Sequence, residues 1–339
     1  MRILHLLASP FWSGPAELVA YLALAQRKLG HDVSVAVDRL RRQTSAEELA
    51  VPRLEALGLL DGGDLELSVK SSPLAMARDS VRLRGRAVDV VHSHFSHDHL
   101  LARLGRPRGA VLVRSVHAAR SLRRSLPKAD AYTTPSSELL MRLVRLRSPR
   151  AMVLPPLVNP TLRPPEDRAA LRRELGLDDG PIVGMVSTFQ PSRRHDVGIA
   201  AFARLRERVP EARLVLVGDG ELEPRLRAQV EGLGLTGAVT FAGYRAGAEF
   251  MRWLQALDEV WVLGLGNDHS GRAAAQARAC GVRVVAVEEG GLGVLADTLV
   301  EPVPDSVAAA ALGPERRQVA LVSNEDIARK VLALYEGAR

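Results

Sequence analysis

A proline-rich passage splits this sequence into two parts of similar pattern. The passage, residues 154–167 (LPPLVNPTLRPPED), carries five prolines in fourteen residues. Proline fixes its own φ angle and lacks a backbone donor, so we predict a hinge here rather than a helix or a strand. On both sides short apolar runs alternate with amphipathic segments, the pattern of parallel sheets flanked by helices. The sequence therefore predicts an α/β fold of two doubly wound domains, residues 1–160 and 161–339, with the last helix able to pack back on the first.

Length and composition agree with two domains inside a cell. A chain of 339 residues, 47% of them apolar, is long enough to bury two ordinary cores. Its apolar runs are shorter than the ~20 residues that a membrane-spanning helix needs. The first residues, MRILHLL, fit a buried strand better than a secretory signal. Cys280 is the only cysteine, which fits a reducing compartment, so we expect a cytoplasmic protein.

The basic residues are concentrated in the first half of the sequence. Residues 1–160 hold 24 Lys and Arg against 14 Asp and Glu, whereas residues 161–339 hold 22 against 25. One interpretation is solvated helix faces, and the other is an anionic partner: the inner face of a membrane, a phosphorylated lipid or an acidic glycan. Arg120, Arg123 and Arg124 would be the first to contact such a surface. Nucleic acid is not expected, because aromatic residues are only 4% and no stacking motif lies among the arginines.

The segment 260–281 (VWVLGLGNDHSGRAAAQARACG) predicts a ligand site by its local structure. Its first four residues fit a buried strand, a glycine-rich turn follows, and a helix opens near Gly271 and closes at Gly281. The free N–H groups and the dipole at the start of such a helix favour phosphate. The residues at this helix end are Ser270, Gly271 and Arg272, with Asp268 before the helix and Gln276 inside it.

Eight segments follow one another in a recognisable order and spacing. They are SGPAELVAYLALAQRKLGHDVSVAV (13–37), DVVHSH (89–94), RSVHA (114–118), ADAYTTPSSEL (129–139), VSTFQPSRRHDVGIAAFARL (186–205), LVLVGDGELEPRLRAQVEGLGL (214–235), VTFAGY (239–244) and ACGVRVVAVEEGG (279–291). Together they resemble the family 4 glycosyltransferases. The resemblance implies the GT-B architecture, in which two Rossmann-like domains face a central cleft. It also implies an acceptor-binding first domain and a second domain that binds a nucleotide-sugar donor.

The resemblance assigns donor-site roles to residues of the second domain. Arg193 stands at the place of the family's diphosphate-binding lysine, and Arg194 adds a second charge. Thr188 stands where the family has an arginine, and a threonine cannot replace that cation. Asp268 and Gln276 take the places of the family's Glu-x7-Glu pair. The first of these lies near the transferred sugar in the family, and the second accepts hydrogen bonds from ribose hydroxyls, as the amide oxygen of Gln276 still could.

Residues of the first domain are assigned in the same way. His117 is the family's candidate for contacting the sugar and helping the acceptor to react. Gly14 and Pro15 belong to the loop that approaches the donor phosphates, where Pro15 replaces a second glycine and removes one N–H donor. The resemblance implies retention of the anomeric configuration without a protein nucleophile. No metal and no cofactor are expected, because helix ends and cationic side chains stabilise the leaving diphosphate in this architecture.

A cluster of histidines follows the third predicted strand. His92, His94, His97 and His99 lie within eight residues, and the first two share one face of the strand end. They could form half of a metal site, but Asp98 is the only nearby oxygen ligand. We interpret the cluster as a polar patch that lines the ligand site, with His92 as a substrate-binding residue.

The leading hypothesis is a glycosyltransferase of hexosyltransferase type that acts in cell-surface polysaccharide or lipopolysaccharide assembly. It would transfer a sugar from a nucleotide diphosphate to a glycan or a lipid-linked acceptor, in the cytoplasm or at the inner face of the membrane. The first alternative is a non-catalytic GT-B-like binding or scaffolding protein with a degenerate donor site. The second is a transferase with an unusual donor, for which Thr188 and Gln276 are adaptations.

Overall fold

The computed structural model divides the chain into two compact units. One comprises Met1–Pro160 together with Val322–Arg339, and the other comprises Thr161–Leu321. Residues 322–339, which the sequence analysis assigns to the second domain with a helix able to pack back on the first, belong to the first unit. The described residues are 1–39, 48–67, 72–122, 128–147, 150–177, 180–265, 271–314, 316–317 and 319–339.

The first unit is built on a parallel sheet. Its described strands are β1 (Arg2–Leu7), β2 (Asp32–Val37), β3 (Val90–Ser93), β4 (Val111–Ser115), β5 (Ala131–Thr134) and β6 (Arg150–Val153). They lie in the order β2-β1-β3-β4-β5-β6, and every neighbouring pair is parallel. Strands β3, β4 and β5 are buried along their whole length, as expected for a sheet covered on both faces.

The helices between these strands are α1 (Gly14–Lys28), α2 (Ala50–Ala56), α3 (Pro73–Arg84), α4 (Ser96–Leu104) and α5 (Ser137–Arg147). The apolar pattern of segment 13–37 predicts a helix from Glu17 to Leu29, and the observed helix begins three residues earlier, at Gly14. Ser13 has the extended backbone of an N-cap, with φ −110°, and Pro15 lies in the first turn. A proline is tolerated there because its missing N–H has no intrahelical partner in any case.

The second unit repeats the same architecture. Its described strands are β7 (Ile182–Val186), β8 (Arg213–Val217), β9 (Val239–Gly243), β10 (Glu259–Val262), β11 (Arg283–Ala286) and β12 (Thr298–Leu299). They form a parallel sheet in the order β12-β11-β10-β7-β8-β9. Its helices are α6 (Arg168–Glu174), α7 (His195–Arg208), α8 (Glu223–Gly232), α9 (Gly247–Gln255), α10 (Arg272–Ala279), α11 (Leu292–Leu295) and α12 (Pro304–Ala310).

The last helix, α13 (Asn324–Gly337), packs against α1 in the first unit. Ser323 caps it, since the backbone N–H of Asp326 donates to Ser323 Oγ at 3.0 Å. Its buried side chains share one core cluster with residues of α1; they are Ile327, Ala328, Val331, Leu332 and Tyr335. Residues 324–337 therefore complete a core whose other elements precede residue 160.

Each sheet has a point where the chain turns in opposite directions. In the first unit β1 leads through α1 to β2, whereas β3, its other neighbour, leads through α4 to β4. In the second unit β7 leads through α7 to β8, whereas its neighbour β10 leads through α10 to β11. Ligands of open α/β sheets bind beyond the carboxyl ends of the strands at such switch points. Among the helices that the structure describes, none has both the length and the apolar character of a membrane span.

Candidate functional site

At the switch point of the second unit, the loop after β7 contacts the segment after β10. Residues 191–193 form a single 3-10 turn, and the N–H of Leu265 donates to the carbonyl of Ser192 at 3.0 Å. A Cβ added to Gly264 would lie 3.4 Å from the Arg193 guanidinium. The Arg193 cation therefore lies close to the backbone that leads toward α10. Arg194 follows in the left-handed conformation, with φ 57°, and is partly buried.

The start of α10 holds the other predicted donor-site residues. Gly271 is its N-cap with φ +64°, and an added Cβ would lie only 2.8 Å from Leu295 Cδ1, so the position suits glycine for two reasons. Arg272 is the first helical residue and is partly buried, and Gln276 is buried on the inner face of the helix. Thr188 is exposed. The predicted site residues Asp268 and Ser270 lie outside the described residues.

Two glycines of the turn after β8, Gly218 and Gly220, hold the loop after β7 in place. Gly218 and Gly220 have φ angles of +147° and +151°. An added Cβ would meet the carbonyl oxygen of Ser187 at 2.1 Å and the backbone of Phe189 at 2.7 Å, respectively. The Gly-Asp-Gly turn therefore allows two backbones to lie in contact. Nearby, burial lowers the pKa of His195 to about 4, so this imidazole is neutral at neutral pH.

At the switch point of the first unit, the structure places Gly14 and Pro15 in the first turn of α1, both partly buried. His117 lies two residues beyond β4 and is also partly buried. Its ring stacks on that of His94, with centroids 5.6 Å apart and planes 23° apart. Burial lowers the pKa of His117 to about 4, and the charge of Arg114 adds to this. His117 is therefore a neutral imidazole that can exchange a hydrogen bond with a hydroxyl.

His92 does not present a nitrogen to a ligand in this structure. It is fully buried, and its Nδ1 lies 2.7 Å from the hydroxyl of Tyr335 while its Nε2 lies 2.9 Å from Ser115 Oγ. The strand pattern put His92 and His94 on one face, as observed, but gave no information on depth. His94, which the sequence analysis did not select as a site residue, lies nearer the edge of the sheet.

The buried histidines belong to a longer hydrogen-bonded chain. His5, on β1, lies 3.0 Å from His94 through Nδ1 and 2.9 Å from Gln26 Oε1 through Nε2. The amide nitrogen of Gln26 donates to the Tyr335 hydroxyl at 3.2 Å. Burial lowers the pKa of His5 to about 4 and lowers the pKa values of His92 and His94 well below the usual range. These hydrogen-bonded side chains therefore form a neutral polar network inside an apolar core.

Asp98 ties two loops of this edge together. Its carboxylate accepts hydrogen bonds from the backbone N–H groups of Ala8 at 3.0 Å, His94 at 3.1 Å and Phe95 at 2.8 Å. One of these donors follows β1 and the other two follow β3. Burial raises the pKa of Asp98 to about 7 in spite of these bonds. Its place at the third position of α4 makes it a cap as well as a link between loops.

Three imidazoles of this network lie close enough to share a cation. One ring nitrogen from each of His5, His92 and His94 falls within 4.8 Å of the others. The sequence suggests half of a metal site among His92, His94, His97 and His99. The structure instead groups His92 and His94 with His5 of β1. Both ring nitrogens of His5 and His92 and the Nε2 of His94 already form hydrogen bonds, whereas His94 Nδ1 has no partner among the described residues.

Two family models match the chain, one in each half. Residues 12–162 match the model for glycosyltransferase family 4, and residues 167–300 match the model for glycosyl transferases group 1. A D-inositol 3-phosphate glycosyltransferase of Stackebrandtia nassauensis is 32% identical over 317 residues, which cover 80% of this chain and 71% of that protein.

Two further similar proteins match different shares of the chain. A GDP-mannose-dependent alpha-(1-6)-phosphatidylinositol monomannoside mannosyltransferase of Mycolicibacterium smegmatis is 32% identical over 185 residues, covering 51% of this chain and 48% of that protein. The crystal structure of Anabaena HepE in complex with UDP-glucose superposes with a TM-score of 0.74 at 19% identity, covering 100% of this chain and 98% of that chain. At that identity the structural likeness concerns the fold alone.

Proposed function

Because the chain belongs to the family 4, group 1 glycosyltransferases and has their two-domain GT-B fold, we propose that it transfers a sugar from a nucleotide diphosphate sugar to a glycan or lipid-linked acceptor. We propose further that the anomeric configuration is retained and that no metal ion is required. The biological role that we propose is assembly of a cell-surface polysaccharide or lipopolysaccharide. Glycosyl transfer itself follows from the family; the donor, the acceptor and the stereochemistry are proposals.

The proximity of Arg193 to Gly264 supports this proposal most strongly. It places a guanidinium beside the segment that leads to the start of α10, at the switch point of the second sheet. A helix N-terminus and a guanidinium both stabilise a developing diphosphate charge. Breaking the bond between the sugar and the phosphate generates such a charge, and the two cations Arg193 and Arg194 would then replace a metal ion. Thr188 would leave this site with one cation fewer than the family pattern.

The first unit would hold the reacting sugar and the acceptor. His117 and its neighbour His94 are neutral because burial lowers their pKa values, so they suit hydroxyl groups rather than phosphates. The names of two relatives include inositol phosphate or phosphatidylinositol, and the Anabaena structure contains UDP-glucose. A test of acceptors should therefore include D-inositol 3-phosphate beside lipid-linked sugars, and a test of donors should include both UDP- and GDP-sugars.

The decisive experiment is titration calorimetry of the full chain with UDP, GDP and ADP, each paired with its nucleoside. We expect one diphosphate to bind measurably and its nucleoside to bind much more weakly, because the phosphates contact the cations. Transfer assays would follow with the matching sugar, with and without EDTA, and with NMR of the product anomer. If none of the diphosphates binds, the chain is the non-catalytic binding or scaffolding protein instead.

We also propose that the first unit contacts an anionic membrane surface. On α3 the apolar side chains of Leu74 and Val81 are 79% and 70% exposed. The same helix carries Arg78 and Arg82, which form ion pairs with Glu66 and Asp64. Arg123 and Arg124, named by the sequence analysis, lie outside the described residues. Sedimentation with vesicles rich in anionic lipid should be strong at low salt and should weaken as salt shortens the Debye length. Vesicle binding that does not depend on salt, or no binding at all, would show that the arginines of the first unit face solvent without binding a membrane.

A further inference from the structure

The hydrogen-bonded chain in the first unit has a direction, and Gln26 sets it. An amide oxygen accepts hydrogen bonds and an amide nitrogen donates them. The oxygen of Gln26 faces His5 Nε2 at 2.9 Å, so that nitrogen carries a proton. The nitrogen of Gln26 donates to the hydroxyl oxygen of Tyr335 at 3.2 Å. One buried amide thus fixes the protons of two branches, one toward His92 and one toward His94.

In the first branch the proton positions follow from Tyr335. Its hydroxyl oxygen accepts from Gln26, so its own hydrogen donates to His92 Nδ1 at 2.7 Å. His92 is then protonated on Nε2, which donates to Ser115 Oγ at 2.9 Å. The hydroxyl of Ser115 in turn donates to Thr133 Oγ1 at 2.7 Å. Both nitrogens of His92 are thereby used within the protein.

In the second branch the same reasoning ends at an unused nitrogen. His5 carries its proton on Nε2, so its Nδ1 is an acceptor and receives the hydrogen of His94 Nε2 at 3.0 Å. His94 is therefore protonated on Nε2 and bare on Nδ1. This bare Nδ1 is buried and has no hydrogen-bond partner among the described residues. A buried acceptor without a donor costs free energy, and such atoms in native proteins call for an explanation.

The second unused nitrogen lies on the neighbouring ring. His117 Nε2 is also buried and has no partner among the residues that the structure describes. The rings of His94 and His117 stack 5.6 Å apart, beyond the carboxyl ends of the adjacent parallel strands β3 and β4. His117 is partly exposed, whereas His94, on which it stacks, is buried.

We propose that His94 Nδ1 and His117 Nε2 form a subsite for a sugar or polyol hydroxyl, and that Gln26 is the positioning residue that keeps His94 Nδ1 ready to accept its hydrogen. A hydroxyl both donates and accepts, so it can donate to His94 Nδ1 and, where His117 carries its proton on Nε2, accept from that nitrogen. The identity of this hydroxyl rests on the proposed function, since the donor sugar and the acceptor both carry such groups. The tautomer of His94 does not rest on it.

The tautomer can be measured in the full-length protein without any ligand. NMR of protein labelled with ¹⁵N in histidine shows which imidazole nitrogen carries a proton. We expect His94 to be protonated on Nε2 and bare on Nδ1, and to become a mixture of tautomers in Gln26→Leu. Tyr132→Phe is the matched control, because it removes a buried hydroxyl that accepts from the backbone N–H of Ala129, and it should change neither histidine.

Three results would overturn the proposal at this stage. The first is a proton on His94 Nδ1 in the unsubstituted protein. The second is a Gln26→Leu variant that folds and leaves the His94 tautomer unchanged. The third is a stoichiometric Co²⁺ complex with tetrahedral imidazole ligation, because His94 Nε2 cannot donate to His5 and bind a metal at once.

Two substitutions at His94 separate its two nitrogens. Gln places an amide where Nε2 lies and can still donate to His5, whereas Asn places its carbonyl oxygen where Nδ1 lies. We therefore expect His94→Gln to weaken binding of the hydroxyl-bearing ligand by about 3- to 10-fold, the effect of losing one neutral hydrogen bond, and His94→Asn to restore part of it. Equal losses in both variants, or none in either, would contradict the subsite.

The source of the hydroxyl is decided by which constant changes. If the donor sugar supplies the hydroxyl, His94→Gln should weaken binding of the nucleotide diphosphate sugar and leave binding of the nucleotide diphosphate unchanged. If the acceptor supplies it, His94→Gln should raise the KM for the acceptor. Should no nucleotide diphosphate bind at all, the proposed function fails while the subsite is still testable. D-glucose and myo-inositol would then be titrated against the His94 and His117 resonances, and unchanged resonances at saturating polyol would overturn the subsite as well.

Discussion

The carboxyl edges of the two sheets share a topology and differ in charge. In the first unit the edge is lined by imidazoles that burial keeps neutral, such as His94 and His117. In the second unit the edge carries the guanidinium groups of Arg193 and Arg194, which are partly buried, beside the start of a helix. The same switch point can thus be fitted for hydroxyl groups or for phosphates. The strand order locates the site, and the side chains added to it decide the ligand.

Asp268→Ala is the substitution with the largest expected effect on this comparison, because it tests whether the charged edge is catalytically active. The family resemblance places Asp268 near the transferred sugar, so transfer should fall by on the order of 100-fold or more, the scale of a lost electrostatic contact in the transition state. Affinity for the nucleotide diphosphate, which lacks the sugar, should be preserved. Asp305→Ala, at an exposed carboxylate, serves as the control. If Asp268→Ala and Asp305→Ala transfer sugar at equal rates, Asp268 has no role in the reaction.

Acid should separate the two edges by their stability. Burial holds the pKa of His5 at about 4 in the folded protein, against an ordinary value of 6.5. The contribution of neutral His5 to the free energy of unfolding is fully present above pH 6.5 and is lost as the pH falls toward 4. The loss from this residue alone is about 3 kcal/mol. Burial also lowers the pKa values of His92, His94 and His117, so these residues likewise destabilise the first unit as the pH falls. In the second unit His195 has the same effect.

Burial raises the pKa values of two carboxyl groups, Asp98 in the first unit and Glu259 in the second, and both oppose this trend. The pKa of Asp98 is raised to about 7, so its protonation favours the folded state as the pH falls from 7 to 4. The histidines of the first unit outweigh this single group. Hydrogen exchange measured between pH 7 and pH 4 should therefore show the strands of the first sheet opening before those of the second. Simultaneous opening would show that the two edges do not differ in this way.

Arg193→Ala tests the charged edge directly. If Arg193 binds the diphosphate, the change should weaken nucleotide diphosphate binding by ~1.5–3 kcal/mol, the usual size of a charge-assisted hydrogen bond. Binding of the bare nucleoside should hardly change. Calorimetry of both ligands would measure this, with Arg204→Ala as a control on the exposed face of α7. An equal loss for both ligands would show that Arg193 acts through the structure of the loop and not through its charge.

Gln276→Glu has the smallest expected effect and sharpens the comparison rather than tests it. A carboxylate accepts stronger hydrogen bonds from ribose hydroxyls than an amide does, so nucleotide affinity should hold or rise by up to ~1–2 kcal/mol. Gln276 is only 5% exposed, so a charge there also costs stability when no ligand is bound. A fall in nucleotide affinity in a folded Gln276→Glu variant would contradict the role of residue 276 in binding the ribose.

The fold was largely predictable from the sequence. Alternation of apolar runs with amphipathic segments predicted two doubly wound α/β domains, and the α/β two-domain GT-B fold is confirmed. The run VTF (239–241) predicts a strand, and the observed strand β9 begins at the same residue, Val239. Such patterns are local, and a buried strand or an amphipathic helix shows its period within a few residues. The start of α1 was missed because a helix accepts proline in its first turn.

The network in the first unit was not predictable, because its members are distant in the chain. His92 and Tyr335 are separated by 243 residues, and His5 and His94 by 89. A histidine within a strand such as RILHLL gives no sign of its partner until the strand order is known. The proximity of Arg193 to Gly264 is easier to anticipate, since both follow neighbouring parallel strands. The donor-site roles of Asp268, Gln276 and Thr188 stay predictions.

The position of α13 has a consequence for the order in which the protein is made. A ribosome synthesises residues 1–160, then the whole of the second unit, and only afterwards the helix that carries Tyr335. At typical synthesis rates the intervening segment takes roughly 10–30 s. During that interval the nascent first sheet exposes the face of α1 that α13 later covers, and His92 waits without its phenol partner. The first unit can therefore complete its core only after the whole of the second unit has been synthesised.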